Sequence, residues 1–432
     1  MRTFLIIWSG QLVSAIGSQM TLFALTIWTW EQTGSATALA LIGFFALLSG
    51  AVVTPVLGVV VDRYERKRLM LLSDTMIALA VAAVALLNLT STLQVWQLYA
   101  IATFIGPFSQ LQGLAYQASL TLIVPARHHT RVSSMGMMIF YGSQILSPAF
   151  AGVLYPVIGL TGIVLIDLVT FVIALLTLLC VQIPQPEQEG GGSEVQGVGE
   201  QSFFSGIRYI LARPNLFALL IVTCSFWFVH ELADTLVNPM ILARTDGNTA
   251  VLGSVSSAVG LGGVIGAIVL SVWGGPKRRV QGLAIAMIGI GITCILFGVG
   301  RSPLIWLPFQ FCASLQFPLF GSSEQAIWLA SVEANLQGRV FAVQALSQQV
   351  AIACAMLMAG PLADYIFEPI MLSSGNLASI LGRIFGTGSG AGTALLLELS
   401  AGCMVIIGIG SYTNPFLCRM ESTLVQDKKL EN

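Results

Sequence analysis

Long apolar segments, each about as long as a membrane-crossing helix, recur along the whole chain and are separated by short polar breaks. A helix that crosses a bilayer needs about 20 predominantly apolar residues. Division of the chain at its polar residues and at its glycine and proline breaks therefore predicts twelve such helices. The predicted spans are 4–30, 37–61, 69–89, 95–117, 132–156, 160–182, 215–241, 251–274, 280–300, 303–325, 339–362 and 391–417.

The composition excludes a water-soluble protein. Of 432 residues, 56% are hydrophobic and only 9% are charged, whereas soluble domains carry roughly 25% charged residues. The first apolar run, 4–30, is too long for the core of a signal peptide and lacks an Ala-x-Ala cleavage site. The seven cysteines form no Cys-x-x-Cys pair, so we interpret them as packing residues and expect no metal site. We predict an all-α membrane protein.

The positions of lysine and arginine predict the orientation of the chain. With both termini in the cytoplasm, the outer segments hold only Arg244, Arg301 and Arg383, and the other sixteen basic residues are inside. Cytoplasmic loops of membrane proteins carry such an excess of basic residues. We therefore predict a multi-pass protein of the cell (inner) membrane with cytoplasmic termini.

Polar, glycine-rich residues separate the first six spans from the last six. Residues 184–202 have the composition of a flexible linker, and 203–211 has the pattern of a short amphipathic helix on the inner membrane surface. The predicted organisation is a six-helix half over 1–183, a cytoplasmic linker with its interfacial helix over 184–213, a second six-helix half over 214–418, and a cytoplasmic tail over 419–432.

The two halves share a pattern of basic residues. Moving the first half forward along the chain places Arg66 on Lys277, and the same shift places Arg2 on Arg213, just before the first span of each half. This favours an internal repeat, although a chance overlay of apolar helices is the alternative.

The most specific motif lies between the second and third spans. Residues 58–68 read Gly-Val-Val-Val-Asp-Arg-Tyr-Glu-Arg-Lys-Arg and resemble G-x-x-x-D-R-x-G-R-R, the signature loop of major facilitator transporters. The resemblance implies two parallel six-helix halves and a loop that latches them shut on the inner side. The gating residues that it implies are Gly58, Asp62, Arg63, Arg66 and Lys67. Glu65 stands where the family usually has glycine.

The electrostatics of helix ends and lipid headgroups are consistent with such a latch. The carboxylate of Asp62 can lie near the start of the eleventh span, around Gly338, because the N-terminus of a helix is partly positive. The basic run 66–68 would contact anionic lipid headgroups. The alternative is an ordinary basic loop with no gating role.

Four further stretches resemble the macrolide-efflux and enterobactin-exporter type of major facilitator transporter. They are Trp8–Ser14, Thr33–Ala36, Val124-Pro125 and Gly338–Phe341. The resemblance covers nearly the whole chain and implies export, but it says little about the substrate.

The fifth span carries a degenerate form of the drug-antiporter pattern G-x8-G-x3-G-P-x2-G-G. The matching positions are Ser134, Ser143, Ser147, Pro148, Ala151 and Gly152. Small residues allow close helix packing, and the proline bends the span. The match favours export, and the alternative is an ordinary packing face. The arginine that many exporters carry in the fourth span is absent, because 95–117 contains no lysine or arginine.

Acidic residues within the apolar spans are candidates for proton coupling, since an ionisable residue in a span usually faces a cavity or a partner. Glu231 and Asp234 lie three residues apart in the seventh span, close enough for one carboxylate to oppose the ionisation of the other. Glu324 is the candidate in the tenth span. The alternative for Glu231 and Asp234 is capping or pairing with Arg244. Asp167 and Glu398 lie nearer the outer ends of their spans.

Neutral polar residues form stripes on the first, fourth, seventh and tenth spans, which are expected to line the central cavity of the major facilitator fold. The cavity-lining candidates are Gln11, Ser14, Ser18, Gln110, Gly113, Gln117, His230, Gln310 and Ser314. Hydrogen bonding between helices, without contact to a substrate, is the alternative.

These observations predict a secondary active transporter that exports a neutral or cationic amphipathic small molecule, drug-like or siderophore-like, by alternating access. We expect a proton gradient to drive it, with no cofactor, no metal and no nucleic-acid partner, and a monomer is compatible with the fold. An uptake carrier or facilitator of the same fold remains open. Other classes are a channel, a lipid scramblase, or an intramembrane metalloprotease, because His230-Glu231-x-x-Asp234 resembles the zinc motif H-E-x-x-H.

Overall fold

The computed structural model describes residues 2–123, 129–181, 200–276, 278–333, 336–371, 381–382, 385–417 and 420. All regular structure in these ranges is helical. The predicted linker over 184–199, the tail beyond 420 and the Val124-Pro125 pair lie outside the described residues.

Five helices form the first part of the chain. They are α1 (Arg2–Thr33), α2 (Ala36–Arg63), α3 (Arg66–Leu89), α4 (Val95–Ile123) and α5 (His129–Leu179). The break between α1 and α2 follows from local chemistry. Gly34 has a φ of 58°, which favours glycine, and the Ser35 hydroxyl then caps α2 by accepting a hydrogen bond from the Ala38 N–H at 3.3 Å.

Gly159 divides α5 into two helices, one before it and one after it. Its φ of 62° and ψ of −172° are not helical and are readily available only to glycine. The helix before Gly159 corresponds to the predicted span 132–156, and the helix after it to the predicted span 160–182.

The rest of the chain continues the helical pattern. The helices are α6 (Glu200–Leu211), α7 (Pro214–Asp234), α8 (Val237–Arg244), α9 (Thr249–Trp273), α10 (Arg279–Val299), α11 (Pro303–Leu315), α12 (Phe317–Ser331), α13 (Gln337–Pro361), a π-helical turn (Leu362–Phe367), α14 (Glu368–Met371) and α15 (Ala391–Thr413). Prolines open α7 and α11, where the first turn needs no N–H from them.

The described residues contain 10 segments that are long and apolar enough to cross a membrane. One of them, Met135–Leu179, contains both helices of α5. The remaining predicted span is α4, whose glutamines lower its hydropathy and which has 29 residues. Counting α5 twice and adding α4 gives the twelve spans predicted from sequence, and the all-helical membrane fold is confirmed.

Contacts divide the chain into two compact units. The first comprises Met1–Gln188 with Asn238–Gly260, and the second comprises Glu189–Val237 with Leu261–Asn432. In the first unit α1 packs along α5 and α2 along α4, and in the second α10 packs along α15 and α7 along α13. Residues 238–260 belong to the first unit although they follow α7 in the chain, and the predicted division into two six-helix halves stays a prediction.

Candidate functional site

Glu324 is a buried carboxylate in the second unit. It lies on α12 with 7% of its surface exposed. Its Oε1 accepts hydrogen bonds from the side-chain amides of Gln344 at 3.1 Å and Gln348 at 2.5 Å. The two glutamines converge on one oxygen because residues four apart on α13 share a helix face.

The donors around Glu324 are neutral. The indole N–H groups of Trp227 and Trp328 lie near enough to interact with its carboxylate, although neither makes a hydrogen bond of standard geometry. The ion pairs Arg68–Glu65 and Arg213–Glu333 do not involve Glu324, and the side chains that interact with its carboxylate are amides and indoles. A buried charge without a cationic partner is costly. The site can therefore take up a cationic ligand group or a proton.

Five rings on α7 and α12 form an aromatic cluster beside this carboxylate: Phe226, Trp227, His230, Phe317 and Phe320. The ring centroids of Phe226 and Phe320 lie 4.7 Å apart, and those of His230 and Phe317 4.8 Å apart. Trp227 joins the cluster to Glu324, because its ring also contacts Phe320 edge-on at 5.7 Å. Aromatic faces of this kind attract apolar groups and cations.

The cluster contains both buried and partly exposed rings. Phe226 and Phe320 are buried, whereas Trp227, His230 and Phe317 are half-buried. A Cβ atom added at Gly321, one turn beyond Phe317 on α12, would meet no atom within 4 Å. Open space therefore borders this face of α12, on the same helix as Glu324.

The structure brings the predicted site residues His230 and Glu324 together. It places the predicted pair Glu231 and Asp234 further along α7. His230 belongs to the aromatic cluster, and Glu324 borders it. Glu231 is half-buried and Asp234 exposed, in the last turn of α7. Asp234 lies near both His230 of the cluster and Cys294 of α10, and Glu398 also lies near Cys294. Across the described chain, no three His, Cys, Asp or Glu side chains are grouped closely enough to hold a metal ion.

Gln310 and Ser314, predicted to line a cavity, are buried in the packing of the second unit. A Cβ added at Gly262 on α9 would come within 2.9 Å of the Ser314 Cβ, so the two helices are in close contact. Their contact with a substrate stays a prediction.

The polar stripe of α1 has partners in the first unit. The Gln11 Oε1 accepts a hydrogen bond of 2.7 Å from the Gln112 amide on α4, and Gln11 also interacts with the Asp74 carboxylate on α3. The Ser18 hydroxyl donates to Asp167 at 3.1 Å. Ser14 is buried.

Asp74 was not among the site residues predicted from the sequence, although the sequence contained a signal for it. It is 5% exposed, and its Oδ2 makes no hydrogen bond in the described structure. Among 69–89 it is the only Asp, Glu, Lys or Arg, and a lone ionisable residue in a span indicates a functional or structural role.

Polar residues of α4 face different surroundings. The Gln110 amide donates to the Thr54 hydroxyl on α2 at 3.4 Å, whereas Gln117 is exposed. A Cβ added at Gly113 would meet no atom within 4 Å. Gln112, which was not among the candidates, makes the contact with α1.

Two basic residues of the predicted gating motif, at the start of α3, bind backbone carbonyls of neighbouring helices. Arg66 donates to the Ala118 carbonyl of α4 at 2.6 Å, and Lys67 donates to the carbonyls of Leu179 at 3.1 Å and Val181 at 2.6 Å. Leu179 ends α5 and Val181 lies just beyond it, where backbone carbonyls have no partner within the helix, so the Lys67 ammonium stabilises them. Protein carbonyls thus bind two basic residues that we expected on lipid headgroups.

The remaining motif residues are less constrained. Glu65, which replaces the family glycine, forms an ion pair with Arg68. Arg63 is exposed, and a Cβ added at Gly58 would meet no atom within 4 Å. The side chain of Asp62 lies outside the described residues, so the latch stays a prediction.

The antiporter-like residues of α5 lie at close helix contacts within the first unit. A Cβ added at Gly152 would come within 2.7 Å of the Thr249 carbonyl oxygen on α9, and the Thr249 hydroxyl donates to the Gly152 carbonyl at 2.8 Å. The Pro148 carbonyl contacts Gly253 of α9. Ser147 donates to the Ile16 carbonyl of α1 at 2.8 Å.

Ser143 donates to the Phe140 carbonyl within its own helix. The side chain of Ser134 lies outside the described residues.

A family model described as the Major Facilitator Superfamily matches residues 7–356. The chain belongs to the Major Facilitator Superfamily. It is therefore a multi-pass membrane transporter and not an enzyme. The resemblance stated from the signature loop is confirmed.

Members of the Major Facilitator Superfamily similar to this chain include named efflux proteins. Macrolide efflux protein A of Streptococcus pyogenes is 26% identical, over 84% of this chain and 90% of that protein. The multidrug efflux pump Tap of Mycolicibacterium fortuitum is 24% identical, over 83% and 89%. The enterobactin exporter EntS of Shigella flexneri is 23% identical, over 72% and 67%.

Solved structures of other transporters share the fold. A bacterial homologue of the lysosomal transporter Spinster, in an inward-facing and unoccupied conformation, matches with a TM-score of 0.71 at 13% identity, over 99% of this chain and 98% of that one. A bacterial homologue of the iron transporter ferroportin matches with a TM-score of 0.67 at 13% identity, over 98% and 99%.

Proposed function

We propose that this major facilitator transporter is a proton-coupled exporter of a neutral or cationic amphipathic small molecule and works by alternating access. Export is supported by three relatives whose names describe efflux of macrolides, of multiple drugs and of enterobactin. The close contact between Gly152 and α9 agrees with the antiporter-like pattern of the fifth span.

The observation that carries the proposal is the buried carboxylate of Glu324 next to an aromatic cluster. The carboxylate would attract a cationic group of the substrate, and the half-buried rings of Trp227 and Phe317 would hold its apolar body. An anionic substrate is disfavoured, because no basic side chain pairs with Glu324 among the described residues.

Proton coupling would use Glu324 together with Glu231 and Asp234. A carboxylate that binds either a proton or the cationic group of the substrate couples proton transport to substrate transport, because binding of one excludes binding of the other. Gln344 and Gln348 could stabilise the carboxylate when neither is bound, since both are hydrogen-bond donors. Binding shifts the access equilibrium only by the difference in affinity between its two states.

The test is uptake into inverted membrane vesicles, whose interior corresponds to the outside of the cell. Macrolides, siderophores and cationic dyes are supplied with a proton gradient, and the gradient is then collapsed with an ionophore. We expect concentrative uptake that stops when the gradient collapses. Flux that never exceeds equilibration would contradict proton coupling, and uphill flux only in right-side-out vesicles would contradict export.

A further inference from the structure

Asp74 is an acidic residue enclosed within the first unit. It lies eight residues after Arg66, the first residue of α3, and therefore about 12 Å along that membrane-crossing helix. Only 5% of its surface is exposed, and its Oδ2 makes no hydrogen bond in the described structure. A buried polar atom without a partner is uncommon in folded proteins, because leaving it unpaired costs free energy. This oxygen is therefore available to bind a ligand.

Two glutamines determine how the Asp74 carboxylate is held. The Gln112 amide on α4 donates to the Gln11 Oε1 on α1 at 2.7 Å. Because that oxygen is occupied, the amide N–H group of Gln11 is the part that donates to Asp74. Gln11 and Gln112 are both half-buried. The carboxylate is thus buried, whereas the glutamines beside it are partly open, so a small ligand can reach it past them.

Few charges lie near Asp74. On its own helix, Arg66 and Lys67 are about two turns away and bind backbone carbonyls, and Arg68 pairs with Glu65. The ionisable residues on the other helices around the site are Arg2 and Glu31 on α1, Tyr99 and Tyr116 on α4, and His129, Arg131, Tyr141, Tyr155 and Asp167 on α5. Among the described residues, the side chain that interacts with the carboxylate is the neutral Gln11 amide. An ionised carboxylate without a counter-charge is costly in an apolar span.

A second buried aspartate of the first unit has different surroundings. Asp167 interacts with three hydroxyl groups, those of Ser18, Thr21 and Thr170. Hydroxyl donors stabilise the ionised form of a carboxyl group, and Asp74 has one amide in their place. The two aspartates contact α1 at residues 11 and 18, about 10 Å apart along that helix. They are therefore separate sites, and Asp74 is the one with fewer donors for its charge.

We propose that Asp74 binds a proton during transport, at its Oδ2, and gives the first unit a proton-binding residue of its own. This role rests on the proposed function, because it adds a residue to its proton coupling. A proton needs one oxygen, whereas a metal ion such as Ca²⁺ takes about six or more oxygen ligands. Across the described residues, no three His, Cys, Asp or Glu side chains can hold a metal ion. An organic cation would need a more open site than a carboxylate that is 5% exposed.

The proton would change how the first unit packs. With the proton bound, Asp74 is neutral and suits its apolar surroundings, and Gln11 remains hydrogen-bonded to it. After the proton leaves, the charge favours an arrangement of α1, α3 and α4 that admits water or further donors. The two forms of Asp74 thus favour different conformations, and proton binding shifts the equilibrium between them.

The direct test is infrared spectroscopy of the purified full-length protein in phospholipid vesicles, recorded as the pH is lowered. A protonated carboxyl group has a C=O stretching band that a carboxylate lacks, and this band lies at higher frequency in apolar surroundings than in water. Asp74→Asn should lose one high-frequency band, and Asp74→Glu should show that band at a changed frequency. Identical high-frequency bands in Asp74→Asn and in the natural sequence would overturn the inference.

Asp246→Asn is the matched control. Asp246 belongs to the same unit and is exposed in the turn between α8 and α9. Its φ of 51° is one that asparagine also adopts, so the same chemical change leaves the backbone undisturbed. This variant should keep every high-frequency band. Loss of the same band in Asp246→Asn would mean that the band does not come from Asp74, and would overturn the assignment.

Ethidium transport into inverted vesicles tests the coupling role separately. In Asp74→Asn, proton-driven accumulation should fall at least several-fold. Ethidium binding in detergent should stay unchanged, because Asp74 belongs to the first unit and the aromatic cluster to the second. Accumulation equal to that of the natural sequence would overturn the coupling role. If the natural sequence itself accumulates no ethidium, the proposed function fails for this dye, and the infrared bands still decide whether Asp74 binds a proton.

Discussion

Gln348 donates a hydrogen bond of 2.5 Å to the buried Glu324 carboxylate, so the eleventh span provides the shortest contact to the acidic residue of the tenth. Gln344 supports the same oxygen from one turn away. Any movement of α13 relative to α12 must therefore alter the surroundings of Glu324. This relationship connects the chemistry of the site with the conformation of the second unit.

Glu324→Gln should abolish concentrative transport of a cationic substrate. The change keeps the shape of the side chain but removes its charge, and a hydrogen bond to a charged group is worth about 1.5–3 kcal/mol. Substrate affinity should fall roughly 10- to 150-fold, measured by binding in detergent. Glu398→Gln, also on a helix of the second unit, is the control and should bind normally. Unchanged affinity in Glu324→Gln would contradict the assignment.

Trp227→Ala should weaken substrate binding, and Trp227→Phe should retain much of it. A cation over an aromatic face gains about 0.5–2 kcal/mol, which corresponds to roughly 2- to 30-fold in affinity. Binding of a cationic dye and of a neutral analogue of similar size distinguishes the causes. If both ligands lose affinity equally, the ring contributes apolar contact and not attraction for the cation.

Neutralising the acidic pair of α7 should separate uphill from downhill transport. In Glu231→Gln/Asp234→Asn, proton-driven accumulation should be lost while downhill exchange survives, because exchange needs no net proton movement. Accumulation and exchange are measured in the same vesicles. Normal accumulation would show that the pair is structural. Loss of exchange as well would indicate a binding or folding defect, which binding in detergent resolves.

Gln11→Leu should destabilise the first unit. The change leaves the half-buried amide of Gln112 and the buried Asp74 carboxylate without their partner, at a cost of about 1–3 kcal/mol. Thermal unfolding in detergent should therefore begin at a lower temperature. Gln117→Leu, at an exposed position of α4, serves as the control. Equal stability of both variants would mean that Gln11 makes no significant contribution.

The orientation predicted from basic residues can be tested at Gly191 in the linker. A membrane-impermeant thiol reagent added to intact cells should fail to label Gly191→Cys, because the linker is expected in the cytoplasm. The same reagent should label it in inverted vesicles. Efficient labelling from outside intact cells would reverse the predicted topology.

Helices were predictable here because the requirement for an apolar segment is local. The length of each run fixes a span, and Gly159 supplies the break within α5. Helix contacts were not predictable in the same way. The choice of Gln344 and Gln348 as partners of Glu324 depends on how α12 and α13 are rotated against each other, and a single sequence does not contain that angle.

The role of Asp74 and the packing of residues 238–260 were both absent from the prediction made from the sequence, for different reasons. Asp74 could have been found, since it is the one ionisable residue between Leu69 and Leu89. The packing of 238–260 with the first unit could not, because a linear division follows the order of spans and not their contacts. Arg66 and Lys67 were predicted to contact lipid headgroups, because a single sequence does not show which backbone carbonyls lie near them.

The hydrogen bonds of Arg66 and Lys67 connect three helices. Together they tie the start of α3 to α4 and to the end of α5. A sliding motion between these helices would break at least one charged hydrogen bond, whereas a rotation of the whole group breaks none. This end of the first unit should therefore turn as a single block, and its bending must occur elsewhere along the helices.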